Sequence, residues 1–183
     1  SIGHFADMMN QRAAELGCTG TSFADPAGFR DEEPTENSWT TPRDMAIIFR
    51  RVMENDHLRK ILQTRSFDIG PTNRHDSLNQ FNYTNALMSS ASEYYYAPTD
   101  GGFISAAAGE SPGIAVMAST GGYGYLLVLL ETPAGGDTAG TRQNVYQEAI
   151  DLLQWAFDSF AVRTVMEKGE IVEEVEVKYS FTT

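Results

Sequence analysis

Cysteine, lysine and histidine are scarce in this sequence, and each scarcity closes a class of chemistry. Cys18 is the only cysteine among 183 residues, which excludes an internal disulfide and a cysteine-built metal site. A lone cysteine of this kind reads as a small packed hydrophobe. The lysines are Lys60, Lys168 and Lys178, and the residues three places before them are His57, Val165 and Val175. No serine therefore stands one helical turn ahead of a lysine anywhere in the chain. Basic charge as a whole is short: 13 Lys and Arg face 25 Asp and Glu, for a net charge of -12. That balance argues against nucleic acid, which needs a basic footprint, and favours solubility. No run of 18 apolar residues exists, so no membrane-spanning helix is expected, and no signal peptide is visible at Ser1.

What the sequence does contain is the material of one domain. Apolar residues make up 42% and charged residues 21%, ordinary values for a chain long enough to bury a sizeable core. The organising stretch is Tyr96 to Glu131. Gly102 to Ala108, Gly113 to Ser119 and Tyr123 to Leu130 read as three strands, the last two joined by a hairpin turn at Thr120-Gly121-Gly122. The run Tyr-Gly-Tyr-Leu-Leu-Val-Leu-Leu has no polar alternation, which predicts a central strand covered on both faces.

Helices should supply that cover. Ile2, Phe5, Met9, Ala13 and Leu16 fall on one helical face, with Gly17 as the C-terminal stop. Thr19 to Phe23 reads as extended, Asp25 to Gly28 as a turn, and Asp31 to Ser38 as an acidic surface loop. Thr41 is placed to cap a helix with Pro42 at its first position and Asp44 completing a near capping box. Met45, Ile48, Phe49, Val52 and Met53 form its apolar stripe. A short helix carrying Leu58 and Ile61, a strand over Ser66 to Ile69 and a polar loop over Pro71 to Gln80 follow. Thr141 is read as the cap of a helix running to about Phe160. Val145, Ala149, Leu152, Leu153, Ala156 and Phe160 lie on its sheet-facing side. Glu174 to Phe181 alternates strictly and reads as a half-buried strand.

Several groups invite a chemical reading. His75 between Arg74 and Asp76 has the makings of a general base, but no nucleophile is placed beside it, and a solvated loop accounts for it. Glu32-Glu33 and Glu173-Glu174 lack a cation-loop signature and read as charged surface. The Gly135-Gly136-Asp137 to Thr141 segment precedes a helix N-terminus without the lysine of a phosphate loop. Tyr94-Tyr95-Tyr96 has the surface to stack on a sugar or peptide; packing at the entrance of the first strand is the simpler account.

The order of elements, together with local phrases, resembles the penicillin-binding D-alanyl-D-alanine carboxypeptidases, serine peptidases that trim peptidoglycan stem peptides. The phrases are Met9-Asn10-Gln11-Arg12 with Glu15-Leu16-Gly17, Phe23-Ala24-Asp25-Pro26-Ala27-Gly28-Phe29, Thr41-Pro42-Arg43-Asp44-Met45-Ala46 and Asn82-Tyr83-Thr84-Asn85-Ala86-Leu87. The strands ending at Ser119 and Leu130 and the helix through Leu152-Leu153-Gln154-Trp155-Ala156-Phe157 extend the likeness over residues 5 to about 178. The resemblance implies an α/β (α+β) fold with a mainly antiparallel sheet. The helix at about 141–160 packs on that sheet beside a helical cluster from residues 2 to 62. This is the second half of the DD-peptidase and β-lactamase arrangement. It further implies a partial domain over 1–165, with 166–183 a C-terminal strand that starts a following segment.

The family's chemistry uses three motifs. Serine of Ser-x-x-Lys attacks the acyl carbon while the lysine takes its proton. Ser-x-Asn relays protons, and Lys-Thr-Gly on an edge strand holds the terminal carboxylate. Ser77-Leu78-Asn79 matches Ser-x-Asn only as a chance coincidence in a loop. The first two motifs are expected upstream of Ser1. The third should fall inside the chain, yet no lysine lies between 61 and 167. Counting forward from Asp100-Gly101-Gly102 puts Phe103-Ile104-Ser105 in its place; counting back from Gly113 puts Ser105-Ala106-Ala107 there. The expected function is therefore that of a portion or degenerate relative of a serine-type D-Ala-D-Ala carboxypeptidase, without its own nucleophile. The alternative is a non-catalytic module binding cell-wall peptides or proteins. The resemblance implies an extracytoplasmic place and a peptidoglycan stem peptide as partner, with Phe103, Ile104 and Ser105 as the binding edge. No cofactor and no metal are expected, and the oligomeric state is left open.

Overall fold

The computed structural model describes residues 2–26, 38–76, 79–82, 85–105, 113–130 and 138–162, together with positions 165, 166, 169 and 171; for 138–144 it describes the backbone alone. The sequence-predicted turn at Asp25 to Gly28 in part, the acidic loop, Ser77-Leu78, Glu32-Glu33, Gly135 to Asp137 and the strand from Glu174 lie outside these residues.

Among the described residues, four α-helices and two antiparallel sheets make up the fold. The helices are α1 (Ile2–Glu15), α2 (Pro42–Met53), α3 (Asp56–Gln63) and α4 (Thr138–Ser159). The strands β1 (Ser66–Ile69) and β2 (Asn79–Asn82) form a two-stranded hairpin. The strands β3 (Thr99–Ile104), β4 (Ile114–Thr120) and β5 (Tyr123–Leu129) form a sheet in that spatial order. A 3-10 helix, Ala86–Met88, leads into β3. Among the described residues no helix is long and apolar enough to cross a membrane.

The sheet is covered on both faces, as the apolar run predicts, and among the described residues its strand order is β3-β4-β5. Ile114, Val116 and Ala118 point to one side, where they pack with Val145, Tyr146, Ala149 and Leu153 of α4. Ala115 points to the other, against Phe49 and Met53 of α2. In β5 the same alternation sends Tyr125, Leu127 and Leu129 toward α4 and Leu126 and Val128 toward α2. Two covering layers explain the unbroken apolar run. The pairing Thr120↔Tyr123 leaves a two-residue turn, with Gly121 at φ 60 and Gly122 at φ 85, the left-handed pair a tight hairpin requires.

Capping of α2 follows the sequence in part. Thr41 is extended, and its hydroxyl accepts from the amide of Asp44 at 3.1 Å. Asp44 does not return the bond. Its buried carboxylate accepts from the Gly20 amide and the Thr21 hydroxyl, each at 2.8 Å. The helix over 141–160 begins earlier than predicted, at Thr138, so Thr141 lies within it and not at its cap. The polar loop predicted to Gln80 ends sooner, because Asn79 to Asn82 pairs with β1. The predicted face of α1 is covered toward its C-terminal end, where Ala13 is buried and Met9 and Leu16 are half-buried, whereas Ile2 and Phe5 are exposed. A side chain also fastens this helix. Asn10 donates to the Phe23 carbonyl at 2.9 Å and accepts from its amide at 2.7 Å.

Candidate functional site

Strand β3 lies at one side of its sheet, with β4 as its only strand neighbour among the described residues. Its start is shaped by glycine. A Cβ on Gly102 would lie 2.3 Å from the Ala115 carbonyl oxygen and 2.7 Å from the Val116 Cα. Only glycine allows the β4 backbone to approach this closely. Immediately after it come the three residues singled out as the binding edge. Phe103 faces α2, its ring edge-on to Phe49 with centroids 5.6 Å apart. Ile104 faces the opposite way and packs on the α4 core. Ser105 follows the strand: its hydroxyl accepts from the Gly113 amide at 2.9 Å and its amide donates to the Gly113 carbonyl at 2.8 Å. The serine thus closes the base of the segment between β3 and β4. In the alternative placement, Ala106 and Ala107 lie outside the described residues.

Phe103 and Ser105 both line a groove of about 730 Å³, whose opposite wall includes Met9, Phe23, Trp39 and Met45. Among the described residues its charged lining is Asp25 alone, and no lysine, arginine or histidine contributes. Among the described residues the groove is therefore mainly apolar. Trp39 and Phe23 reach it because residues 22 and 39 form an antiparallel bridge, Ser22 and Trp39 exchanging amide-to-carbonyl bonds of 2.9 Å. Nothing in the local sequence marks these two aromatics as neighbours; the Ser22–Trp39 bridge that brings them together spans 17 residues.

The other candidates are dispersed. His75 pairs with Thr72 in an isolated bridge, and Arg74, His75 and Asp76 are all exposed. The three tyrosines divide: Tyr94 stacks on Tyr146 at 5.7 Å and Tyr96 packs on the α4 core, while Tyr95 is exposed. Burial pushes the Tyr94 and Tyr96 hydroxyls above their ordinary range, with nearby Glu93 and Asp158 adding to it respectively. Cys18 is buried. Its thiol is likewise pushed up by desolvation first and by the Asp44 charge second. Such a thiol is a poor nucleophile.

Known proteins share this architecture. A D-alanyl-D-alanine carboxypeptidase from Mycobacterium tuberculosis is 23% identical over 79% of this chain and 53% of its own, with a TM-score of 0.54. A point mutant of a Streptomyces DD-transpeptidase is 22% identical over 86% of this chain and 55% of its own, with a TM-score of 0.69. At these identities the likeness is one of fold, and the chain spans about half the length of each. No curated protein matches it in sequence. The profile of a family described as D-alanyl-D-alanine carboxypeptidase matches residues 1–112, from α1 through β3 to the residues before β4. With that match over more than half of its length, and with the phrases around Asn10, Thr41 and Asn85 set in the elements described above, the chain belongs to the D-alanyl-D-alanine carboxypeptidase family.

Proposed function

We propose that this chain is a portion or degenerate relative of a serine-type D-Ala-D-Ala carboxypeptidase of peptidoglycan metabolism, acting outside the cytoplasm, and that alone it binds peptide without cleaving it. One observation supports the reading: the end of β3, Phe103, Ile104 and Ser105, lies beside an apolar groove that has no cation among the described residues. A lysine there would attract a peptide's terminal carboxylate through a charge-assisted hydrogen bond, which contributes about 1.5–3 kcal/mol against about 1 for a neutral one. Without it, recognition rests on backbone pairing of an extended peptide along the strand edge. Affinity for a C-terminal carboxylate is lower than in an intact relative by about 0.5–2 kcal/mol.

Calorimetric titration with D-Ala-D-Ala peptides bearing free and amidated C-termini tests this. The expected result is similar affinity for both, with little dependence on salt. A strong preference for the free carboxylate would contradict it and would require a cation elsewhere, Arg74 being the first to substitute. The alternative reading, a non-catalytic module for another wall peptide or protein, is favoured by the same cation-free groove; it predicts no D-Ala-D-Ala binding in either form.

A further inference from the structure

The groove beside β3 owes its aromatic wall to two side chains outside its lining, Asn10 and Asp44. The wall includes Phe23 and Trp39. Trp39 is 62% exposed, so packing alone does not hold it; its backbone does. Asn10 accepts from the Phe23 amide at 2.7 Å and donates to the Phe23 carbonyl at 2.9 Å, and one side chain thus serves both backbone groups as a neighbouring strand would. Asp44 secures the bridge next to it. Its buried carboxylate accepts from the Gly20 amide and the Thr21 hydroxyl, each at 2.8 Å. A hydroxyl has one proton and a carboxylate only accepts. Thr21 therefore donates to Asp44 and accepts from the Thr40 hydroxyl, 2.9 Å away. The resulting chain, Thr40 to Thr21 to Asp44, runs beside the Ser22–Trp39 bridge and ties both of its segments to α2.

We propose that Asp44, seconded by Asn10, is the positioning residue of this groove: it sets the bridge, and through the bridge the wall against which an extended peptide lays an apolar side chain. The proposal rests on the reading of the groove as a peptide site. A peptide paired along β3 sends alternate side chains to the face that Phe103 occupies, and Phe103 lines the groove together with Phe23 and Trp39. Bonds to a charged acceptor are stronger than neutral ones, which suits Asp44 to hold a wall whose aromatic surface stays open.

Two measurements test it. Amide hydrogen exchange reads the bridge directly, because the Ser22 and Trp39 amides are its donors. Asp44→Ala, and Thr21→Val as the milder variant, should speed exchange at both amides by about tenfold or more relative to the Val116 amide in the sheet core, which follows global stability. Asp44→Asn should stay close to the parent, since both bonds go to one oxygen that an amide keeps. Asn55→Ala removes the cap of α3 instead, and should lower stability without changing that ratio. The second measurement is calorimetric and compares N-acetyl-Leu-D-Ala-D-Ala with N-acetyl-Ala-D-Ala-D-Ala. The parent and Asn55→Ala should favour the leucine peptide by about tenfold, and Asp44→Ala and Asn10→Ala should lose most of that preference. Exchange ratios unchanged in both Asp44→Ala and Thr21→Val, no leucine preference in a parent that binds, or a preference kept once the bridge has loosened would each overturn the proposal. If the parent binds neither peptide, the D-Ala-D-Ala reading of the groove fails, while the exchange ratios still decide whether Asp44 sets the bridge.

Discussion

Asp44 is buried on the first turn of α2, yet its carboxylate serves the turn at Gly20 and Thr21 instead of the helix that carries it. Thr41 does the capping alone, so Thr41→Ala should cost about 1 kcal/mol; a urea midpoint identical to the parent's would place the cap elsewhere. The sequence pattern Thr-Pro-x-Asp was legible as a helix start because capping is local. That Asp44 would turn away was not legible, since its partners are more than 20 residues distant. Cys18 yields a second expectation. Its folded pKa lies above the ordinary 9.0, so on raising the pH the unfolded chain loses this proton first. Stability from this group is fully present below about pH 9 and declines above it, as the unfolded state binds fewer protons. Cys18→Ala should flatten the alkaline slope of the stability curve, measured by urea unfolding between pH 8 and 10.5. The slope left over belongs to Tyr94 and Tyr96, which are shifted the same way. An unchanged slope in the variant would show the thiol to be indifferent.

At the scale of elements, the β3–β4 pair depends on a residue with no side chain. Gly102→Ala brings a Cβ against the Ala115 carbonyl, and overpacking against backbone costs about 2 kcal/mol or more. Thermal unfolding should show it as a clear fall in midpoint, and a midpoint within 1 °C of the parent's would mean that β3 moves aside freely. Helices α1, α2 and α3 and strands β1, β3, β4 and β5 were legible because periodicity and glycine punctuation are written locally. Strand β2 was not, since Asn79-Gln80-Phe81-Asn82 is polar and exposed along its length and is a strand only through its partner. An apolar run reports burial on both faces, which α2 and α4 provide, and says nothing about hydrogen-bonded neighbours. The C-terminal end of α4 adds a detail that no pattern carried: Tyr123 and Tyr125 both donate to the Phe160 carbonyl at 3.3 Å while their rings pack on Phe157.

For the whole molecule, the family was legible from short phrases in the right order, whereas the groove was not. Its walls come from α1, the Ser22–Trp39 bridge, α2 and the sheet, and only the fold brings them together. The lysine arithmetic, by contrast, needs no structure: no Ser-x-x-Lys exists and no lysine lies between 61 and 167. Serine acylation in this family runs through a lysine-activated hydroxyl, and among the described residues Ser105 is hydrogen-bonded to the Gly113 backbone. On the proposed reading, this chain alone forms no acyl-enzyme. Intact-protein mass spectrometry after prolonged incubation with benzylpenicillin tests it most directly. The account predicts an unmodified mass at every time point, and a stable adduct of one penicilloyl group on any serine would contradict it.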